Sequence, residues 1–156
     1  MYRRILVPLD GSRTAQLGLG EAVKLAKSQG STLRLLHVVD DLALIRTPEI
    51  SYDLGDLIKV LTEEGRKILD KGAAHARKHG VKVQTSLLET YGGRAADAII
   101  DEANKWHASL LVLGTHGRRG VKRMLMGSDA EEVLRMALCP VLLVRSKPPS
   151  TGSKGR

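Results

Sequence analysis

Apolar and polar positions alternate in two rhythms along the chain, and the rhythms take turns. Arg4 to Leu9 holds the short apolar run Ile5-Leu6-Val7, stopped by the turn-forming triplet Asp10-Gly11-Ser12, which predicts a buried strand feeding a helix. Ala15, Leu19, Ala22, Val23 and Ala26 then recur at three- and four-residue steps and give one apolar helical face that ends near Gly30. A second strand is predicted over Thr32 to Val39. From Asp40 to Asp53 the pattern is broken by Pro48 and mixed charges and reads as an irregular excursion near the top of a sheet. A long helix follows from about Asp53 to His79, with Leu57, Leu61, Ile68 and Ala76 inward and Gly80 closing it. Val81 to Leu88 reads as a strand, Ala95 to Lys105 as a helix, and Ser109 to Leu113 as a near-continuously apolar strand of the kind covered on both faces. Beyond the glycine-rich segment Gly114 to Gly127, a helix from Ser128 to about Leu138 and a last strand Val141 to Val144 complete the series.

Strands that alternate with helices imply right-handed crossovers and a parallel, doubly wound α/β sheet, whose ligands bind at the carboxyl ends of the strands near the point where strand order reverses. A chain of 156 residues fits one such domain. It can bury roughly 68–70% of its unfolded surface without staples. Cys139 is the single cysteine, so an intrachain disulfide, a multi-cysteine zinc site and a redox pair are all excluded. This points to a reducing, cytoplasmic setting. No run reaches the roughly 18 apolar residues of a membrane span, and no signal-peptide pattern opens the chain.

The formal charge of +8 raises the question of a nucleic-acid partner, but its distribution argues against one. Arg118, Arg119, Lys122 and Arg123 crowd one loop, while Arg145, Lys147, Lys154 and Arg156 lie in or beside the C-terminal segment; these eight account for the whole excess. Phenylalanine is absent, so the stacking platform of single-strand binders is missing. A small anion at the loop explains the pattern more simply. The segment 146–156, with Pro148-Pro149, glycines, serines and lysines, is expected to be a disordered basic tail.

Candidate chemistry concentrates in Leu113-Gly114-Thr115-His116-Gly117-Arg118-Arg119-Gly120 and the following Gly127-Ser128. Gly114 and Gly117 stand where a buried strand must turn, and without Cβ atoms they let backbone N–H groups converge on a ligand. Gly127 and Ser128 open a helix whose first N–H groups have no intrahelical partner and whose dipole is positive there, with Ser128 read as its N-cap. Together these make an anion site. Asp10 by itself reads as a helix-capping turn residue, and His37 as a satisfied core histidine. His75 and His79 have i, i+4 spacing but no evident third ligand for a metal. Trp106 reads as a packing residue and Cys139 as a small buried group. Ser128 lacks a neighbouring base, and no G-x4-G-K-[ST] loop occurs, so neither acyl transfer nor P-loop phosphoryl transfer is indicated.

The spacing G-x2-G-x9-G-S at Gly114, Gly117, Gly127 and Ser128 resembles the nucleotide loop of ATP-binding universal stress proteins. The opening Ile5-Leu6-Val7-Pro8-Leu9-Asp10-Gly11-Ser12, the strand Leu36-His37-Val38-Val39 and the closing Cys139-Pro140-Val141-Leu142-Leu143-Val144 resemble that family too, and the likeness covers about residues 1 to 145. It implies a Rossmann-like open five-stranded parallel sheet of order 3-2-1-4-5 with helices on both faces. It also implies an adenine nucleotide, ATP or AMP, with or without magnesium. By that resemblance Pro8, Leu9 and Asp10 line ribose and adenine, and Val38 meets the base. Leu113, Gly114, His116 and Gly117 contact ribose and the α-phosphate. Gly127, Ser128, Asp129 and Ala130 hold the outer phosphates; apart from the resemblance, Arg118 and Arg119 folding over them, or a magnesium ion bridging Asp129 to them, would add to their hold. Where ATP-binding members carry an apolar and then a hydroxyl residue, this chain has Asp129 and Ala130, which weakens triphosphate binding. A carboxylate in a first helical turn is expected to favour the free protein by roughly 0.3–1 kcal/mol.

The implied function is a nucleotide-responsive regulatory or stress-tolerance module with little or no turnover. Two alternatives stay open: a slow magnesium-dependent ATPase or adenylyl-transferring enzyme, and a nucleotide-free dimeric interaction protein. Family resemblance further implies a homodimer through antiparallel pairing of the last strands, Val141 to Val144.

Overall fold

The computed structural model describes residues 1–41, 53–115 and 126–146. Its elements alternate as the hydrophobic pattern predicts: β1 (Arg4–Pro8), α1 (Arg13–Gln29), β2 (Thr32–Val39), α2 (Leu54–Lys78), β3 (Lys82–Glu89), α3 (Ala95–Lys105), β4 (Leu110–Gly114), α4 (Ser128–Met136) and β5 (Val141–Val144). The five strands form one sheet in the order β3-β2-β1-β4-β5, and every neighbouring pair is parallel. No helix among the described residues is long and apolar enough to cross a membrane.

Period-two alternation divides the core between the two sheet faces. Ile5, Val7, Leu33, Leu35, Leu110 and Val112 point toward α1 and α2, where they meet Leu19, Ala22, Val23, Leu69 and Ala73. Leu6, Leu36, Leu111 and Leu113 point the other way, against Ala96, Ile99, Ile100 and Trp106 of the α3 region and Val133 of α4. Each of the larger side chains contributes about 1.5–3 kcal/mol by leaving water. Trp106 is the packing residue its sequence context predicts, and the Arg34 guanidinium lies 4.6 Å above its ring while bonding Glu102 at 2.8 Å.

Helix ends follow local chemistry. Ser12 caps α1 by accepting from the Ala15 N–H, and Asp53 caps α2 by accepting from Gly55. Two expectations need correction. The buried stripe of α2 is Gly65, Leu69, Gly72, Ala73 and Ala76, whereas Leu57, Leu61 and Ile68 are only partly covered, Ile68 at the margin of the core. His79 is its C-cap, and Gly80, left-handed at φ 76°, follows it. The excursion between Asp41 and Asp53, the basic loop carrying His116, Gly117, Arg118 and Arg119, and the tail beyond Ser146 lie outside the described residues.

Candidate functional site

The strand order reverses between β1 and β4, and there the sheet opens. These strands pair at Ile5↔Leu110 and Leu6↔Leu111, whereas β4 and β5 stay paired through Gly114↔Val144. Pro8 explains part of the opening. Neighbouring residues in a strand aim their backbone groups at opposite partners, and the Leu9 N–H bonds the Leu36 carbonyl of β2. Pro8 therefore faces β4, and with no N–H it has nothing to donate across the gap. The result is a crevice at the carboxyl ends of the central strands.

Around this crevice stand Pro8, Leu9 and Asp10 from the end of β1, Val38 from β2, Leu113 and Gly114 from β4, and Gly127 to Ala130 at the start of α4. Thr115 joins the last two groups: its carbonyl accepts the Gly127 N–H at 2.8 Å, and its own N–H bonds Val144 at 3.0 Å. The two ends of the glycine-rich loop are thus held together at the foot of α4. Thr115 was not among the candidates, since its role rests on a backbone contact that no residue type announces.

The cap of α4 differs from the sequence reading. Gly127 is the N-cap, Ser128 is the first helical residue, and no side chain caps the helix. The carbonyl of Gly127 already accepts from Glu131, which moves the cap one position ahead of the serine. The N–H groups of the first turn lie at the positive end of the helix dipole, where no intrahelical acceptor meets them. Ala130 is buried at 9% exposure and has no side-chain donor to offer.

Leu9 and Leu113 reach the crevice through their backbones, because both side chains belong to the core. Leu9 is further committed: its carbonyl is bonded by His37 Nδ1 at 2.7 Å. A carbonyl only accepts, so Nδ1 carries the proton. His37 is thereby the satisfied core histidine that its strand position predicts. Asp10 accepts the Ser12 N–H at 2.9 Å through Oδ1, a side-chain turn that sets the chain into α1.

Carboxylates converge near the foot of α4. Partial burial pushes the Asp129 carboxyl above its ordinary range, the charges of Asp40 and Asp10 push it in the same direction, and Arg94 opposes them. Burial and the neighbouring carboxylates act against the favourable dipole contribution expected for this carboxylate. Among the described residues no three His, Cys, Asp or Glu side chains converge to hold a metal ion by themselves, so magnesium would need phosphate oxygens to complete its shell. His75 and His79 pack ring to ring at 4.6 Å, with His79 Nδ1 bonded to the His75 carbonyl at 2.8 Å. Cys139 is only partly buried, packed against the α3 side of the core rather than within it as expected, and this partial burial raises its thiol.

Asp40 and Arg94 were also missed as site residues. Asp40 directly follows Val39, the last residue of β2, but only the sheet order brings it toward Asp129. Next to it, Asp41 accepts from the Thr90 hydroxyl and the Gly92 N–H, tying the end of β2 to the loop that leads to Arg94.

Known proteins share this arrangement. The model of the universal stress protein family matches residues 1–145. Universal stress protein MJ0531 of Methanocaldococcus jannaschii is 37% identical over 93% of this chain and 83% of its own length. A universal stress protein family structure from Burkholderia pseudomallei has a TM-score of 0.76 at 35% identity, covering 93% of this chain and 97% of that one. The universal stress protein from Archaeoglobus fulgidus in complex with dAMP has a TM-score of 0.65 at 26% identity, covering 92% of this chain and 98% of that one. The chain belongs to the universal stress protein family.

Proposed function

We propose that this protein binds an adenine nucleotide, ATP or AMP, in the crevice between β1 and β4, and acts as a regulatory or stress-tolerance module with little or no turnover. The observation that carries the reading is the first turn of α4, which opens on Gly127 and is held beside the opened strand ends by the Thr115–Gly127 bond. First-turn N–H groups, which have no intrahelical acceptor and sit at the positive end of the helix dipole, fit a phosphate. The complex of the Archaeoglobus fulgidus relative with dAMP agrees with it in ligand class.

In this reading Pro8, Asp10 and Val38 border the nucleoside, with Leu9, Leu113 and Gly114 contributing backbone. The phosphates lie at Gly127, Ser128, Asp129 and Ala130. His116, Gly117, Arg118 and Arg119 complete the loop over them, and magnesium accompanies a triphosphate. Asp129 disfavours that triphosphate. The functional unit is residues 1–145, and cytoplasmic residence accords with a single cysteine.

A homodimer through β5 belongs to the same proposal. This strand lies at the sheet edge, Leu142 is 36% exposed, and Leu138 just before it is 85% exposed. An uncovered apolar edge favours pairing with a second copy. Mass spectrometry of nucleotide carried through purification, followed by calorimetry with ATP and AMP, tests the binding reading. Failure of both nucleotides to bind refutes it.

A further inference from the structure

Arg94, the N-cap of α3, spans the gap between two helices. Its guanidinium meets Asp97 of its own helix at 3.1 Å from Nε and 3.2 Å from Nη2, and it meets Glu132 of α4 at 3.3 Å from Nη1. Glu132 follows Ser128 by four positions and Asp129 by three, which puts it one turn below them on the same side of α4. The arginine head therefore sits against a residue one helical turn from the first turn of α4. Its charge is felt by the Asp129 carboxyl.

We propose that Arg94 is a movable ligand for the outer phosphates of a bound nucleotide, exchanging Glu132 for phosphate oxygens and so setting the preference for ATP over AMP. This rests on the nucleotide reading above. Three features make the exchange cheap. Glu132 keeps a cation when Arg94 leaves, because Arg135 Nη1 lies 3.7 Å from its other oxygen. Asp97 sits in the first turn of α3, where the helix dipole favours a carboxylate. Both present pairs are solvent-exposed on the arginine side and individually weak, whereas a planar guanidinium on phosphate forms paired, charge-assisted bonds. The exchange also places a positive charge where Asp129, Asp40 and Asp10 otherwise repel a polyanion.

Calorimetry of the full chain with magnesium-ATP and with AMP tests this, using the native protein, Arg94→Gln and Glu132→Gln, with thermal melting alongside. Arg94→Gln is expected to weaken ATP about ten- to a hundredfold while changing AMP by less than about threefold. Glu132→Gln, which removes the competing carboxylate, is expected to tighten ATP and leave AMP unchanged. Equal effects of Arg94→Gln on both nucleotides, or none on either, overturn the proposal; so does a pair of variants that only lowers the melting temperature. Native protein that binds neither nucleotide overturns the site reading as well, which separates the two failures.

Discussion

Gly114, the last residue of β4, lies so close to the first turn of α1 that a Cβ there would stand 2.5 Å from the carbonyl carbon of Thr14. Sequence reading assigns this glycine to a ligand loop, yet the contact shows that it is first a packing requirement between strand and helix. Gly114→Ala is expected to destabilise the fold by about 1–3 kcal/mol, since the opposing atoms are backbone and must move. Gly20→Ala, in α1 with open space around it, is the control and is expected to stabilise by about 0.5–1 kcal/mol. Urea denaturation of the two variants checks both signs.

His37 and Gly65 form a second pair. A Cβ at Gly65 would stand 2.4 Å from His37 Cδ2, so α2 lies over the imidazole only because it carries glycine at that turn. Gly65→Ala is expected to cost more in the native protein than in a His37→Ala background, where the ring is gone. A double-mutant cycle should return a coupling of about 0.5–3 kcal/mol. Additive costs would show that the ring is not what limits the helix. His37→Leu alone leaves the Leu9 carbonyl without its partner and is expected to cost about 1–3 kcal/mol in the same denaturation assay.

Asp129 makes stability depend on pH with a definite sign. Its carboxyl is raised in the folded protein, by burial first and by Asp40 and Asp10 after that, so the folded state holds a proton more tightly than the unfolded one. Stability therefore falls as pH rises from the ordinary carboxylate value through the raised one, and is level above it. Asp129→Asn is expected to be more stable than the native protein at pH about 7 and to lose that advantage near pH about 3, where both states are protonated. The same variant should bind ATP more tightly. Denaturation midpoints at the two pH values, with calorimetry at neutral pH, check this; a variant no more stable at neutral pH refutes the argument.

The register of β5 selects the residue that tests the dimer. Thr115 bonds the Val144 carbonyl and Leu111 bonds the Pro140 carbonyl, so alternate residues, Pro140, Leu142 and Val144, face β4. Val141 and Leu143 aim their backbone groups outward at the edge. Leu143→Pro removes an outward N–H and leaves the β4 ladder intact. A homodimer paired through this strand should dissociate to monomer in light scattering while the circular dichroism of the fold persists. A variant that stays dimeric places the interface elsewhere.

The alternation of short apolar runs with helical stripes determined by itself the order of elements, and most helix ends, because these depend on side-chain periodicity and on local caps such as Ser12 and Asp53. The glycine spacing likewise marked the junction between β4 and α4 as the candidate site. Only the tertiary structure decided the rest. Which turns of α2 are buried depends on how the helix lies against the sheet, and the joining of the glycine-rich loop's two ends depends on the bond of Gly127 to Thr115, twelve residues away. That Leu9 and Leu113 face the core follows from which side of the sheet each strand position meets. The meeting of Asp10, Asp40, Asp129 and Arg94 depends on strand order and helix packing, and neither leaves a mark on sequence spacing. Local rules act over a few residues, while the charge and reach of this crevice are set by contacts between segments that the chain keeps far apart.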